Sequence, residues 1–237
     1  MTYWRKLHNW IGLLIGLQVL AWISGGVIMS AIPIEMVRGK HLLLEQSSVG
    51  SAKQISADFQ SDLSRWQKME WVRRLDKSVI KLSGFDHSSS FIDPTTGAAL
   101  ARLTGSEAEQ VARNRYLGKG KVVAVQLLEQ IPAEASRLSP PVYSVQFDDW
   151  INTTFYVQPD SGEIKTVRSD LWRVYDFFWM LHIMDYEERE NFNNPLVIVV
   201  SVTALIFTMT GFVLLYFSFI KPQTRIIWRA ARQRRGK

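Results

Sequence analysis

Two uninterrupted apolar runs, Trp10–Ile32 and Pro195–Phe219, stand out from a chain in which apolar and polar residues otherwise alternate. Neither run contains Lys, Arg, Asp, Glu or His. Each is long enough, at about 1.5 Å per helical residue, to cross a hydrocarbon layer of roughly 30 Å. The pattern therefore predicts two transmembrane helices, at 10–34 and 195–219. Between them the periodicity changes. Ile80 and Leu82 alternate with Lys81 and Ser83, and Val145 and Phe147 alternate with Gln146 and Asp148. That two-residue period puts one strand face on a core and the other in water. A helix is expected ahead of each strand set. In the first, Ile55, Phe59 and Leu63 recur every four residues; in the second, Ala108, Val111, Ala112 and Tyr116 follow Ser106 as N-cap. Val122–Leu128 adds a strand to the second set.

The strand sets share punctuation. Phe91-Ile92-Asp93-Pro94-Thr95-Thr96-Gly97 aligns with Tyr156-Val157-Gln158-Pro159-Asp160-Ser161-Gly162, and the same offset aligns Ile80 and Leu82 with Val145 and Phe147. In both copies an apolar strand runs into a Pro-x-x-Gly turn, where proline fixes φ and glycine lets the chain reverse. The coarse pattern is helix, strand, strand, strand, twice over, with repeat 1 at 35–104 and repeat 2 at 105–168. Each copy alone would bury a marginal core, so the copies are expected to pack on each other or on a membrane surface. Region 169–194 carries a further helix and loop. Trp172, Tyr175, Trp179, His182 and Tyr186 recur at three- and four-residue spacing there, one aromatic helix face suited to the lipid headgroup layer.

Charge sets the orientation. Arg5 and Lys6 precede the first run, and Lys221, Arg225, Arg229, Arg232, Arg234, Arg235 and Lys237 follow the second with no acidic residue among them. These flanking cations outnumber the net charge of +6, so the rest of the chain is net negative. Positively charged flanks stay cytoplasmic, which places segments 1–9 and 220–237 inside and the central domain on the opposite side. The basic tail reads as a topology signal against anionic lipid and gives no support for nucleic-acid binding. The first run is too long for the apolar part of a cleavable signal peptide and stays apolar past Ser24-Gly25-Gly26, so an uncleaved anchor is expected. The chain has no cysteine, which excludes disulfides, thiolate metal sites, iron–sulfur clusters and covalently attached haem.

Chemistry-bearing motifs are sparse. The sequence contains no nucleophile elbow, P-loop, dinucleotide fingerprint or zinc-protease motif, so no catalytic or metal residues are assigned. Gln18, Ser24, Ser201, Thr203, Thr208 and Thr210 are the polar residues of the spans; without an ionisable group there, a transporter is not indicated. Asp148-Asp149 and Glu187-Glu188 have no catalytic partner that spacing identifies. Four histidines remain. His8 shares a helix face with Gly12 and Gly16, which reads either as a Gly-x-x-x-Gly packing face or as space beside a macrocycle held by His8 across a homodimer axis. His41 and His182 each stand near a span on the far side, where they are either interfacial residues or an axial pair. His87 lies in the polar connection Gly84–Ser90 and reads as a solvated turn residue.

Leu7-His8-Asn9-Trp10-Ile11-Gly12-Leu13, the strand-Pro-x-x-Gly-strand repeats, and Leu181-His182 ahead of a span ending in Thr210-Gly211 resemble the PepSY-associated transmembrane proteins over nearly the whole chain. The resemblance implies an α+β membrane protein: two transmembrane helices flanking a periplasmic domain of two PepSY-like helix-plus-antiparallel-sheet repeats, in a bacterial inner membrane. It also implies a link to iron uptake. Members with more spans include ferric-siderophore reductases that carry b-type haem on histidines, which makes His8, His41 and His182 candidate haem ligands. The chain has only two spans and departs from those members. A non-enzymatic reading is therefore expected: an anchored module that binds a membrane or periplasmic partner protein or peptide. The alternative is a b-haem component of a transmembrane electron-transfer or ferric-siderophore reductase system.

Overall fold

A computed structural model describes residues 2–45, 66–75, 77–86 and 88–217, which form two units. One comprises Met1–Ala31 with Asp176–Lys237, the other Ile32–Tyr175. The helix expected around Ile55, Phe59 and Leu63, and His87, lie outside the described residues.

The first unit is helical. Helix α1 runs Thr2–Ala31 and stops short of the expected 10–34 span, because Pro33 lacks the N–H and the room to continue it. A one-turn helix α2, Ile34–Val37, begins immediately after that proline and opens the second unit. Within both α1 and the C-terminal helix, Pro195–Leu215, lies a segment long and apolar enough to cross a membrane, Asn9–Ala31 and Pro195–Val213. Few residues of either segment are buried in the protein. Leu13, Leu17, Leu20, Leu205 and Phe212 are each at least 60% exposed, as on a lipid-facing helix and unlike the core helix of a water-soluble protein. Gly12 lies where a Cβ would sit 3.1 Å from the Phe207 ring, whereas a Cβ at Gly16 would meet nothing within 4 Å. Of the Gly-x-x-x-Gly pair, only Gly12 lies against the C-terminal helix.

The second unit carries two antiparallel sheets. The first orders β1 (Trp66–Arg74), β2 (Lys77–Gly84) and β3 (Ser89–Ile92) as β1-β2-β3. The second orders β4 (Val122–Leu128), β5 (Val142–Phe147), β6 (Thr154–Val157) and β7 (Ile164–Arg168) as β4-β5-β6-β7. Helix α3, Gly105–Arg115, covers one face of the second sheet, burying Ala108, Val111 and Ala112 against Val145, Phe147, Phe155 and Val157. Its N-cap is Thr104, not Ser106. The Thr104 side chain accepts from the Glu107 N–H at 3.3 Å, and the Glu107 carboxylate accepts from the Thr104 N–H at 2.8 Å, a reciprocal box that outcompetes a lone serine.

Both sheets carry a strand running into a Pro-x-x-Gly turn, with three differences from the expected pattern. After Gly162 the chain forms β7, but after Gly97 the corresponding segment makes only the bridge Ile92↔Ala99, since Ala98, Ala99 and Ala101 have little strand preference. Trp66–Arg74, unassigned by pattern, supplies the first sheet's third strand. Register also slips: Ile80 pairs with Ile92, but Val145 pairs with Phe155, two residues short of Val157. A slip of two keeps every side chain on its face, so the core survives it. Both turn glycines have positive φ, 68° and 71°, and both donate N–H to the residue before proline, Asp93 or Gln158.

Gly39 fixes the start of this unit. Its φ is +69°, and a Cβ there would lie 2.4 Å from Val167 Cγ1. Gly39→Ala is expected to destabilise the unit by about 1–3 kcal/mol through left-handed strain and overpacking. Hydrogen exchange of the β7 amides measures the loss.

Helix α4, Asp170–Ile183, spans the boundary between the units, and Met184, at φ 54°, ends it. Tyr186 therefore falls off the aromatic stripe into a loop gathered by the Asp185 carboxylate. That carboxylate accepts the N–H groups of Glu187 and Glu188 at 3.3 Å and of Glu190 and Asn191 at 3.0 Å.

Candidate functional site

Each sequence-selected residue has a definite place. His8 is on α1, and His41 is exposed in a short 3-10 turn, Lys40–Leu42, of the second unit. His182 is in the last turn of α4, with Nδ1 buried and without a hydrogen-bond partner. The Trp22 ring lies 6.4 Å from the His182 ring, and its Nε1–H donates to the His182 carbonyl at 2.9 Å; Gln18 donates to the Leu181 carbonyl at 3.2 Å. Those carbonyls end a helix and have no intrahelical partner, so two α1 side chains one turn apart cap α4. Pattern reading noted Gln18 only as one of the polar residues of the spans and did not single out Trp22. His8 stands about 21 Å along α1 from Trp22, so His8 and His182 of one protomer are not a ligand pair.

The stripe residues carry specific contacts. Arg168 lies over the Trp172 ring at 4.2 Å. Trp179 donates its indole N–H to the Arg189 carbonyl at 3.1 Å and meets Phe192 edge-on at 5.3 Å. Tyr175 is the last residue of the second unit, and Tyr186 is half exposed in its loop. Among the described residues no group of three or more His, Asp or Glu is placed to hold a metal ion.

Two polar networks brace the second sheet. The Glu134 carboxylate, on the connection between β4 and β5, takes the Arg173 guanidinium at 2.8 and 3.1 Å and the Tyr156 hydroxyl at 2.7 Å. Burial raises the Glu134 pKa, but the Arg173 and Tyr156 hydrogen bonds outweigh it and hold the group below its ordinary range. Beneath that connection Ala135, Val142 and Tyr156 form a small core with Leu128, Ile131 and Leu138. At the β5–β6 turn, Asp149 accepts from Tyr116 at 2.7 Å and from the Thr153 N–H and hydroxyl at 2.8 and 2.5 Å. Burial and the bond to Asp149 push the Tyr116 hydroxyl up to about 12, so it remains a donor. Asp148 accepts from the Lys121 N–H, tying the start of β4 to the same turn. The acidic pair Asp148-Asp149 is thus structural.

These braces hold β4 as an edge strand, paired with β5 alone among the described residues. Its seven residues, VVAVQLL, include no charge, and Val123 and Leu127 are 61% and 46% exposed. The other edges are defended. β1 carries Lys68, Glu70, Arg73 and Arg74, and β7 carries Lys165 and Arg168. β3 is short and already takes Ala99, with the Leu100 N–H donating to the Phe91 carbonyl at 2.8 Å. Edge strands of soluble sheets are ordinarily protected by charge or cover. In general, an uncharged edge with exposed apolar side chains can take an added strand, main-chain N–H and C=O groups giving affinity and alternate side chains giving selectivity. Sequence reading identified Val122–Leu128 as a strand but could not show that it lies at an edge. No family model, curated protein or solved structure matches this chain.

Proposed function

We propose that the protein is a two-pass bacterial inner-membrane protein, with both termini cytoplasmic, whose PepSY-type periplasmic domain binds an extended segment of a membrane or periplasmic partner along β4. The uncharged β4 edge carries this reading. Replacing Val123 and Leu127 together with lysine leaves the buried core side chains untouched but places two desolvated charges in any added strand. Capture of the partner by the full-length protein in membranes should fall by at least tenfold, while hydrogen exchange of β5 and β6 stays unchanged. Undiminished capture by a folded double variant would remove the reading.

The unpartnered Nδ1 of His182 favours one second reading, a b-type haem held by that residue. A bis-histidine site within the first unit of one protomer does not fit, because His8 is too far along α1. A Soret band in the purified protein, lost in His182→Ala and kept in His41→Ala, would support the second reading. A featureless spectrum with added haemin would dismiss it.

A further inference from the structure

The chain enters and leaves the strand-bearing unit at one end of its second sheet. On the way in, Gly39 lies against Val167, and the Leu117 N–H donates to the Leu42 carbonyl at 3.0 Å. On the way out, β7 ends at Arg168, which pairs with Thr154, and the Asp170 N–H donates to the Ile151 carbonyl at 2.7 Å. The β5–β6 turn is therefore beside the exit. Trp150 stands on that turn 90% exposed, more than any other large apolar residue described. The turn is tied down by the Asp149 carboxylate, which accepts from Thr153 and Tyr116, so the indole is presented from a hydrogen-bonded backbone. Next to it runs the 117–121 loop, where a Cβ at Gly120 would lie 2.8 Å from the Asp149 nitrogen. That loop exposes Leu117, at 56%, with Lys119 and Lys121.

An exposed indole, an aliphatic side chain and two ammonium groups match the headgroup layer of a bilayer. Indole is amphipathic and favours that depth, and lysine pairs with lipid phosphate. Position agrees with composition. The first span ends at Ala31, and the segment from there to Gly39, helical at Ile34–Val37, is shorter than the roughly 28 Å that eight extended residues would cover. We infer that Trp150, Leu117, Lys119 and Lys121 form a lipid-docking surface that seats this end of the domain in the headgroups of the bilayer crossed by α1 and the Pro195–Leu215 helix. The inference rests on the two-span reading and is independent of strand binding at β4.

Because the chain has no cysteine, single substitutions can carry a fluorophore without background. Reporters are placed by Lys119→Cys beside Trp150, by Glu163→Cys at the opposite end of the same sheet, and by Leu205→Cys within the second span. The full chain is reconstituted in phosphatidylethanolamine–phosphatidylglycerol vesicles containing nitroxide-labelled lipid. A headgroup nitroxide should quench the Lys119 reporter at least threefold more than the Glu163 reporter, and Trp150→Ser should at least halve the excess. An acyl-chain nitroxide should quench the Leu205 reporter. Quenching at Leu205 with no excess at Lys119 overturns the docking surface alone, including the case in which protein shields Lys119 from aqueous iodide. An excess that Trp150→Ser leaves unchanged overturns the assignment to Trp150. No quenching at Leu205 overturns the two-span reading and the docking surface with it.

Discussion

Glu134→Ala is expected to loosen the second sheet by about 2–3 kcal/mol. The substitution leaves the Tyr156 hydroxyl and the Arg173 guanidinium without their common partner. Breaking a well-buried charge pair costs roughly 3–5 kcal/mol, and the partial exposure of Arg173 lowers that figure. Protection of the β6 and β7 amides against exchange should fall by about 30- to 160-fold. A pH signature accompanies it. The folded pKa of Glu134 lies below its unfolded value of about 4.3, so the contribution is present above that pH and disappears as pH falls through the folded value. Glu134→Gln should therefore show a smaller loss of protection on acidification than the parent. An unchanged acid response would show that the carboxylate does not hold the β4–β5 connection.

The second large effect is expected inside the apolar unit. Gln18→Leu combined with Trp22→Phe keeps an aliphatic and an aromatic side chain in place but removes both N–H donors that reach the Leu181 and His182 carbonyls. In water those carbonyls would find other partners, but in an apolar surrounding each unsatisfied group costs on the order of 1–3 kcal/mol. The double variant should lose about 2–4 kcal/mol locally. It should fray the end of α4, seen as faster exchange at residues 180–183 in detergent or nanodiscs, with α1 still helical. Unchanged exchange would mean that α4 ends without support from α1. Asn194 offers a smaller comparison. It caps the Pro195–Leu215 helix by accepting from the Val197 N–H at 3.0 Å, and Asn194→Ala should cost about 1 kcal/mol.

Much of the architecture is legible in the sequence because it is written in local patterns. Apolar runs, two-residue alternation and Pro-x-x-Gly turns gave two long helices and the β2–β3 and β5–β6 ladders, with the core faces of Ile80, Leu82, Val145 and Phe147 correctly assigned. Misses arose where distant residues decide. Trp66–Arg74 hides as a strand because its charges suit an exposed edge. Tyr186 satisfies helical spacing, yet the chain has already turned at Met184. Thr104 was available as a cap through its partner Glu107, a readable signature that Ser106 obscured. The site is less legible than the fold: VVAVQLL reads as a strand anywhere, and only the pairing order makes it an edge. Trp22 was concealed as one apolar residue among many.

The most direct test is photo-crosslinking along β4 in living cells, with the photoreactive residue placed in turn at Val123, Gln126 and Leu127, and at Lys165 on β7 as a comparison. If β4 is the binding edge, the three β4 positions should form adducts with one shared partner, and within that partner the attachment points should advance with a strand's register while Lys165 forms none. Adducts no more frequent at β4 than at Lys165, or scattered without register, would contradict binding at this edge.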